Sequence, residues 1–262
     1  MEPILLRADD GGIATLTLNA PASLNALSDA MIAALHEELD RIAQDAEIRV
    51  VIVRSTGRAF CAGHDLKEMQ ATRAATDNGA AAFADLFARC AALMQTIVAL
   101  PQPIIAQVHA TAAAAGCQLV ASCDLVVAST QARFGVNGVN IGLFCSTPMV
   151  ALTRKVPPAV AFEMLTTGEF LDAARAREAG LVNRVTAPGD LDTATRTLAE
   201  TIAGKLGAAV RIGKAAFYRQ AELGLAAAYD HTGRVMVENM LNQDTNEGIT
   251  AFLEKRKPDW QA

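Results

Sequence analysis

No uninterrupted apolar run in this 262-residue chain reaches the roughly 18 residues that a membrane-crossing helix needs, so no membrane span is expected. The opening, Met1-Glu2-Pro3-Ile4-Leu5-Leu6-Arg7, lacks the basic flank and apolar stretch of a signal peptide. Basic clusters are short, Lys255-Arg256-Lys257 being the longest, and 23 Lys and Arg stand against 28 Asp and Glu for a net charge of -5. That balance excludes a broad electrostatic surface for nucleic acid, and no nucleic-acid partner is expected. The five cysteines (61, 90, 117, 123 and 145) are odd in number and widely spaced. They form neither a disulfide framework nor a pair at zinc-ligand spacing, so reduced thiols and a cytoplasmic location are expected. The four histidines are scattered and join no carboxylate cluster, so no metal is expected. No GxGxxG motif, no internal repeat and no low-complexity segment occurs, apart from short alanine-rich stretches.

What the chain has is apolar substance: 52% of residues are hydrophobic and 19% charged, the balance of a folded domain with a sizeable core. Ile4–Leu6 and Ile13–Leu18 read as strands around the turn Asp9-Asp10-Gly11-Gly12. Val50–Val53, Ile104–Val108 and Leu125–Ala128 are dense runs that read as buried strands. Between them, Leu27, Met31, Leu35 and Leu39 recur at helical spacing, as do Phe83, Phe87, Cys90, Met94 and Ile97. Strand, small-residue turn, helix and strand in succession indicate an α/β core. After a short strand over Leu181–Val185 the pattern is helical: Leu191–Leu206, Val210–Ala228 and Arg234–Asn242. The expected organisation is therefore an α/β core over residues 1–190 and a helical tail over 191–262.

Two loops carry the candidate chemistry. One is Phe60-Cys61-Ala62-Gly63-His64-Asp65-Leu66, after a strand; the other is Ala112-Ala113-Ala114-Ala115-Gly116-Cys117-Gln118, between a strand and a helix. Small side chains let backbone approach a ligand or another segment closely. The second loop opens a helix, whose first N–H groups have no internal acceptor and favour negative charge. Two such donors converging on one carbonyl would make an oxyanion hole. Composition alone equally fits tight packing of crossing segments.

The segment Phe60 to Met69 resembles the signature loop of the enoyl-CoA hydratase/isomerase family, the crotonase superfamily. Gly116-Cys117-Gln118-Leu119, Cys123-Asp124-Leu125, Phe134-Gly135, Leu165 to Glu169, Ala176 to Val182 and Glu247-Gly248 to Arg256 continue the resemblance in order through nearly the whole chain. Gly138 to Pro148 marks a branch of that family whose biochemistry is poorly defined. The resemblance implies a crotonase-like spiral of ββα units with a C-terminal helical trimerisation region, assembled as a homotrimer or a dimer of trimers. It implies an acyl-CoA or enoyl-CoA thioester ligand of fatty-acid metabolism and no separate cofactor. The two oxyanion N–H groups fall on His64 and Ala115. Arg58, Ala59, Ala62, Asp65 and Leu66 would hold CoA, with Phe252 and Lys255 approaching it from the tail of the same or a neighbouring subunit.

Hydration of an enoyl thioester needs one group to activate water and another to supply a proton. The two glutamates used by hydratases that this chain resembles fall on Gln118 and Gly138. A carboxamide does not exchange a proton near neutral pH, and glycine has no side chain. The ordinary hydratase mechanism is therefore missing its acid and base, which leaves a carbonyl-polarising enzyme or a non-catalytic acyl-CoA-binding protein. Placing glutamate at both positions is expected to restore hydration if the backbone frame is intact. Other candidates weighed are the ring of His64, a His64–Glu68 pair, a Cys145 nucleophile, Asn137, Asn140 and His109, each of which also suits a structural role.

Overall fold

The computed structural model describes residues 2–260. Gly11 and Gly12 take positive φ and let β1 (Leu5–Asp10) turn back on β2 (Ile13–Leu18) in antiparallel register. The other strands are β3 (Val50–Ser55), β4 (Ala59–Cys61), β5 (Ile104–Val108), β6 (Thr111–Ala113), β7 (Leu125–Ser129), β8 (Arg133–Gly135), β9 (Leu171–Asp172) and β10 (Arg184–Thr186). They form a six-stranded sheet ordered β1-β2-β3-β5-β7-β10 and a four-stranded sheet ordered β4-β6-β8-β9. From β2 to β10 the large sheet is parallel.

The helices are α1 (Asp29–Gln44), α2 (Leu66–Thr72), α3 (Ala80–Ala99), α4 (Ala115–Ser122), α5 (Pro148–Leu152), α6 (Pro158–Thr167), α7 (Ala173–Glu178), α8 (Leu191–Ala203), α9 (Gly207–Gln220), α10 (Leu225–Met240) and α11 (Gln243–Leu253). Each turn of the chain lays one strand in the large sheet and the next in the small one, then returns through helix: β3-β4-α3, β5-β6-α4, β7-β8-α5. This is the spiral of ββα units, followed by a helical region.

Alternation along the parallel strands divides the core in two. Val51, Val53, Ile104 and Ala106 face α1, α3 and α4, while Val50, Ile52, Ile105 and Val127 face Leu191, Leu198 and Ala199 of α8. Ser28 caps α1 by accepting from the Met31 N–H at 3.2 Å, and Met31, Ile32, Leu35, Leu39 and Ile42 form its buried stripe. By length and composition α3 is long and apolar enough to cross a membrane; here it buries Leu86, Cys90, Leu93, Met94 and Ile97 against the core.

A buried charged cluster ties α9 to the sheet. Lys214 Nζ lies 2.7 Å from Asp124 Oδ2 and donates to the carbonyls of Ile97 and Gln102, while Tyr218 donates to Asp124 Oδ1 at 2.8 Å. The Ile104 N–H also donates to Asp124, so the carboxylate is fully engaged. The continuous helix expected over 210–228 is interrupted after Gln220, and α10 begins after Gly224. The strands β4, β6 and β8 fall in segments that read as small-residue loops or carried no assignment.

Candidate active site

The site forms where the small sheet meets the start of α4. Asn25, fully buried, organises one wall: it accepts from the Ala20 N–H at 2.9 Å and donates to the carbonyls of Thr56 at 2.7 Å and Ala59 at 3.0 Å. The Ala62 N–H then donates to Leu24, and the Leu27 N–H donates to the Gly63 carbonyl at 2.7 Å. These bonds pin the 61–64 segment beside 24–27. Sequence reasoning gave Asn25 no role beyond preceding a helix. It takes a positive φ, a conformation that asparagine adopts more readily than most residues, so the residue type itself was the available signal.

The second wall is the turn into α4. Ala114 takes φ 48 and ψ -117, an uncommon conformation for a residue with a side chain. Its N–H donates to the Gly135 carbonyl at 2.8 Å and its carbonyl accepts from Gln118 at 3.0 Å, which holds the turn at both ends. Gly63, at φ 97, packs directly on this turn: a Cβ there would lie 3.0 Å from Ala114 Cβ and 3.3 Å from the Ala115 nitrogen. Gly116 packs as tightly on β4, where a Cβ would overlap the Cys61 carbonyl. Small residues at 63, 114 and 116 thus bring His64 and Ala115 together. Among the described residues, neither the His64 nor the Ala115 backbone N–H has a protein acceptor.

Side-chain directions settle several open candidates. The His64 ring turns into the protein, with Nδ1 3.4 Å from the Leu27 carbonyl and the ring edge-on to Phe87 of α3, centroids 5.7 Å apart. Its Nε2 is buried without a partner, and burial lowers its pKa, so the imidazole is held neutral. Glu68 does not pair with it; the carboxylate accepts from the Asp29 N–H at 3.0 Å, at the start of α1. Asp65 caps α2, accepting from Lys67 at 2.8 Å and Glu68 at 3.3 Å. His109 Nε2 lies 2.8 Å from the Gly57 carbonyl.

Of the expected CoA contacts, Arg58 and Leu66 are exposed, Ala62 is half-buried and Ala59 is buried within β4. Phe252 and Lys255 are exposed at the end of α11, and among the described residues no hydrogen bond joins them to the 58–66 segment. Gln118 is buried one turn into α4, and its Oε1 has no hydrogen-bond partner.

Gly138 is buried, and a Cβ there would overlap the Leu143 carbonyl and lie 2.8 Å from Cys145 Sγ. This corrects the expectation that glutamate at 118 and 138 would restore hydration: the backbone of the following turn fills the space the second carboxylate needs. Burial raises the Cys145 pKa and pushes the Cys61, Cys117 and Cys123 thiols up to about 12, which leaves no thiolate nucleophile among them. Among the described residues no three His, Cys, Asp or Glu side chains gather as a metal site.

Comparison with known proteins gives this geometry a context. The enoyl-CoA hydratase/isomerase family profile matches residues 8–262. The mitochondrial enoyl-CoA hydratase domain-containing protein 3 of Xenopus laevis is 44% identical over 258 residues, covering 98% of this chain and 86% of that protein. Its Homo sapiens counterpart is 45% identical over 249 residues, covering 95% of this chain and 80% of that protein. The crystal structure of the human protein matches with a TM-score of 0.94 over 98% of this chain and 100% of that one. That of an enoyl-CoA hydratase from Mycobacterium smegmatis matches with a TM-score of 0.95 at 51% identity over 100% of both chains. The expectation of a cytoplasmic location is overturned by these comparisons, since the relatives from both vertebrates are mitochondrial. That expectation rested on the unpaired cysteines, which do not specify a compartment.

Proposed function

The chain belongs to the enoyl-CoA hydratase/isomerase family, and from that premise we propose that it binds an acyl-CoA or enoyl-CoA thioester and polarises its carbonyl with the N–H groups of His64 and Ala115. The observation that supports this reading is the close packing of Gly63, next to His64, on the Ala114–Ala115 turn, with no protein acceptor for the His64 or Ala115 N–H among the described residues. A carbonyl oxygen accepting from both is held more strongly as negative charge grows on it towards an enolate. One such donor is worth about 3 kcal/mol in a transition state. The activity class is hydratase/isomerase-like chemistry on fatty acyl chains. Because positions 118 and 138 offer no proton exchanger, the reaction relies on carbonyl polarisation and not on a carboxylate pair.

CoA in this reading runs along Arg58, Ala59, Ala62, Asp65 and Leu66, mainly on backbone, since the Asp65 side chain is engaged in capping α2. Phe252 and Lys255 reach it from the tail of the same or a neighbouring subunit. We place self-association in the 191–262 region, on the exposed Tyr229, Met236, Val237, Met240 and Leu241 of the α10 segment, as a homotrimer or a dimer of trimers. The thioester itself supplies the only CoA group required.

A second reading, a non-catalytic acyl-CoA-binding protein, is favoured by one observation: the Leu143 carbonyl occupies the place of an acid or base. Incubation with short, medium and long acyl- and enoyl-CoA esters in D₂O, read by chromatography-coupled mass spectrometry, separates the two. Catalysed conversion or deuteration at the α carbon is the expected result. Binding of the same esters with neither would establish the non-catalytic reading.

A further inference from the structure

Two chain reversals stand at the entrance to the small sheet: residues 56–58 lead from β3 into β4, and residues 109–110 lead from β5 into β6. The strands they feed run towards the two proposed donors, β4 towards His64 and β6 towards Ala115. The ladder between these strands is irregular. Ala59 pairs with Thr111 and Cys61 with Ala112, so β4 advances two residues where β6 advances one, with the buried Phe60 as the extra residue. A ladder disrupted in this way holds register less firmly than a regular one. The packing of Gly63 on the Ala114–Ala115 turn sets how closely the two segments lie, but packing has no direction and resists sliding weakly.

One side chain joins the two reversals. Nε2 of His109 lies 2.8 Å from the Gly57 carbonyl oxygen, which can only accept, so the ring carries its proton on Nε2 and donates it. Gly57 takes φ 80, and a Cβ there would lie 2.6 Å from Pro21 Cβ, so the direction of this carbonyl is tightly held. Asn25 holds the neighbouring carbonyls of Thr56 and Ala59, but ties them to the 20–25 wall and not to β6. Among the described residues, no other side-chain hydrogen bond joins 56–58 to 109–110. We infer that His109 is a positioning residue for the thioester site: its bond to Gly57 sets the register of the bulged β4 against β6, and with it the placement of His64 relative to Ala115. This inference rests on the thioester reading above and names what keeps its two donors aligned. The ring acts through this link and not on the ester. Hydrogen bonds weaken steeply with misalignment, so a small slide of β4 costs polarisation of the carbonyl before it costs the fold. The Gly57 carbonyl lies at the surface, where water can replace the imidazole as donor without restoring the link.

The test is ¹³C NMR of carbonyl-labelled butyryl-CoA bound to the full-length protein and to His109→Leu, His109→Asn and His109→Gln, with urea midpoints measured alongside. Glutamine carries an N–H donor the same number of bonds from Cα as Nε2 of histidine, asparagine stops short, and leucine has no donor. The displacement of the bound resonance is expected to fall to about half or less in His109→Leu and His109→Asn, with affinity about threefold weaker, and to stay near the parent value in His109→Gln. His109→Asn, polar at a half-buried position, carries the test should His109→Leu not fold. A role confined to stability would lower the midpoint and leave the bound resonance where it is in the parent. The parent displacement retained in either variant that lacks the link would overturn the inference and leave the thioester reading standing. A loss in His109→Gln equal to that in His109→Asn would also overturn it. A parent protein that binds the ester with no displacement, or binds none, would overturn the thioester reading and the inference together.

Discussion

At the scale of single residues, His64 divides its backbone from its side chain. Its N–H has no protein acceptor among the described residues, while the ring is turned onto Leu27 and Phe87. From the sequence the ring could have faced solvent, CoA or the pocket, because its direction depends on partners 37 and 23 positions away in the chain. The buried ring carries a pH signature. Its native pKa lies below the ordinary histidine value through burial, with the Leu27 carbonyl and the nearby Asp29 opposing only part of that effect. As pH falls through about 6.5 the unfolded chain takes up a proton that the native ring resists, so native stability declines over that window. Urea midpoints at about pH 7.5 and about pH 5.5 are expected to drop further in the parent protein than in His64→Asn, which has no imidazole to protonate. Parallel losses in the two proteins would show that the ring is not held neutral.

At the scale of elements, close approach of backbone builds the site. An alanine at position 116 would place its Cβ 2.8 Å from the Cys61 carbonyl carbon, so the start of α4 must move off β4. Gly116→Ala is expected to cost about 1–3 kcal/mol of stability in urea unfolding, with loss of acyl-CoA affinity exceeding that expected from unfolding alone. An unchanged unfolding midpoint and unchanged affinity would contradict the tight β4–α4 contact. This contact was partly legible in the sequence: the two small-residue loops were identifiable, and Val50–Val53, Ile104–Val108 and Leu125–Ala128 announced their strands by apolar density. The strands β4, β6 and β8 did not announce themselves, because three residues are too few to display a two-residue period. Gly138 was legible as a missing side chain. What fills its place, the Leu143 carbonyl, depends on the path of the 137–145 turn, which no local pattern encodes.

At the scale of the whole molecule, the Asp124–Lys214–Tyr218 cluster fixes α9 to the core, whereas α10 lacks any buried residue. Its Tyr229, Met236 and Val237, with Leu241 just beyond, are left at the surface, an arrangement that suits burial in an assembly. Light scattering is expected to show three or six copies for the parent protein and fewer for Val237→Asp/Leu241→Asp with an unchanged circular dichroism spectrum. A monomeric parent would refute that assignment. The central claim, that two backbone N–H groups polarise a thioester carbonyl, is tested most directly by ¹³C NMR of butyryl-CoA labelled at the carbonyl carbon. Hydrogen bonding from His64 and Ala115 predicts a downfield displacement of the bound resonance from that of the free ester. A bound ester whose carbonyl resonates at the free position would contradict the account.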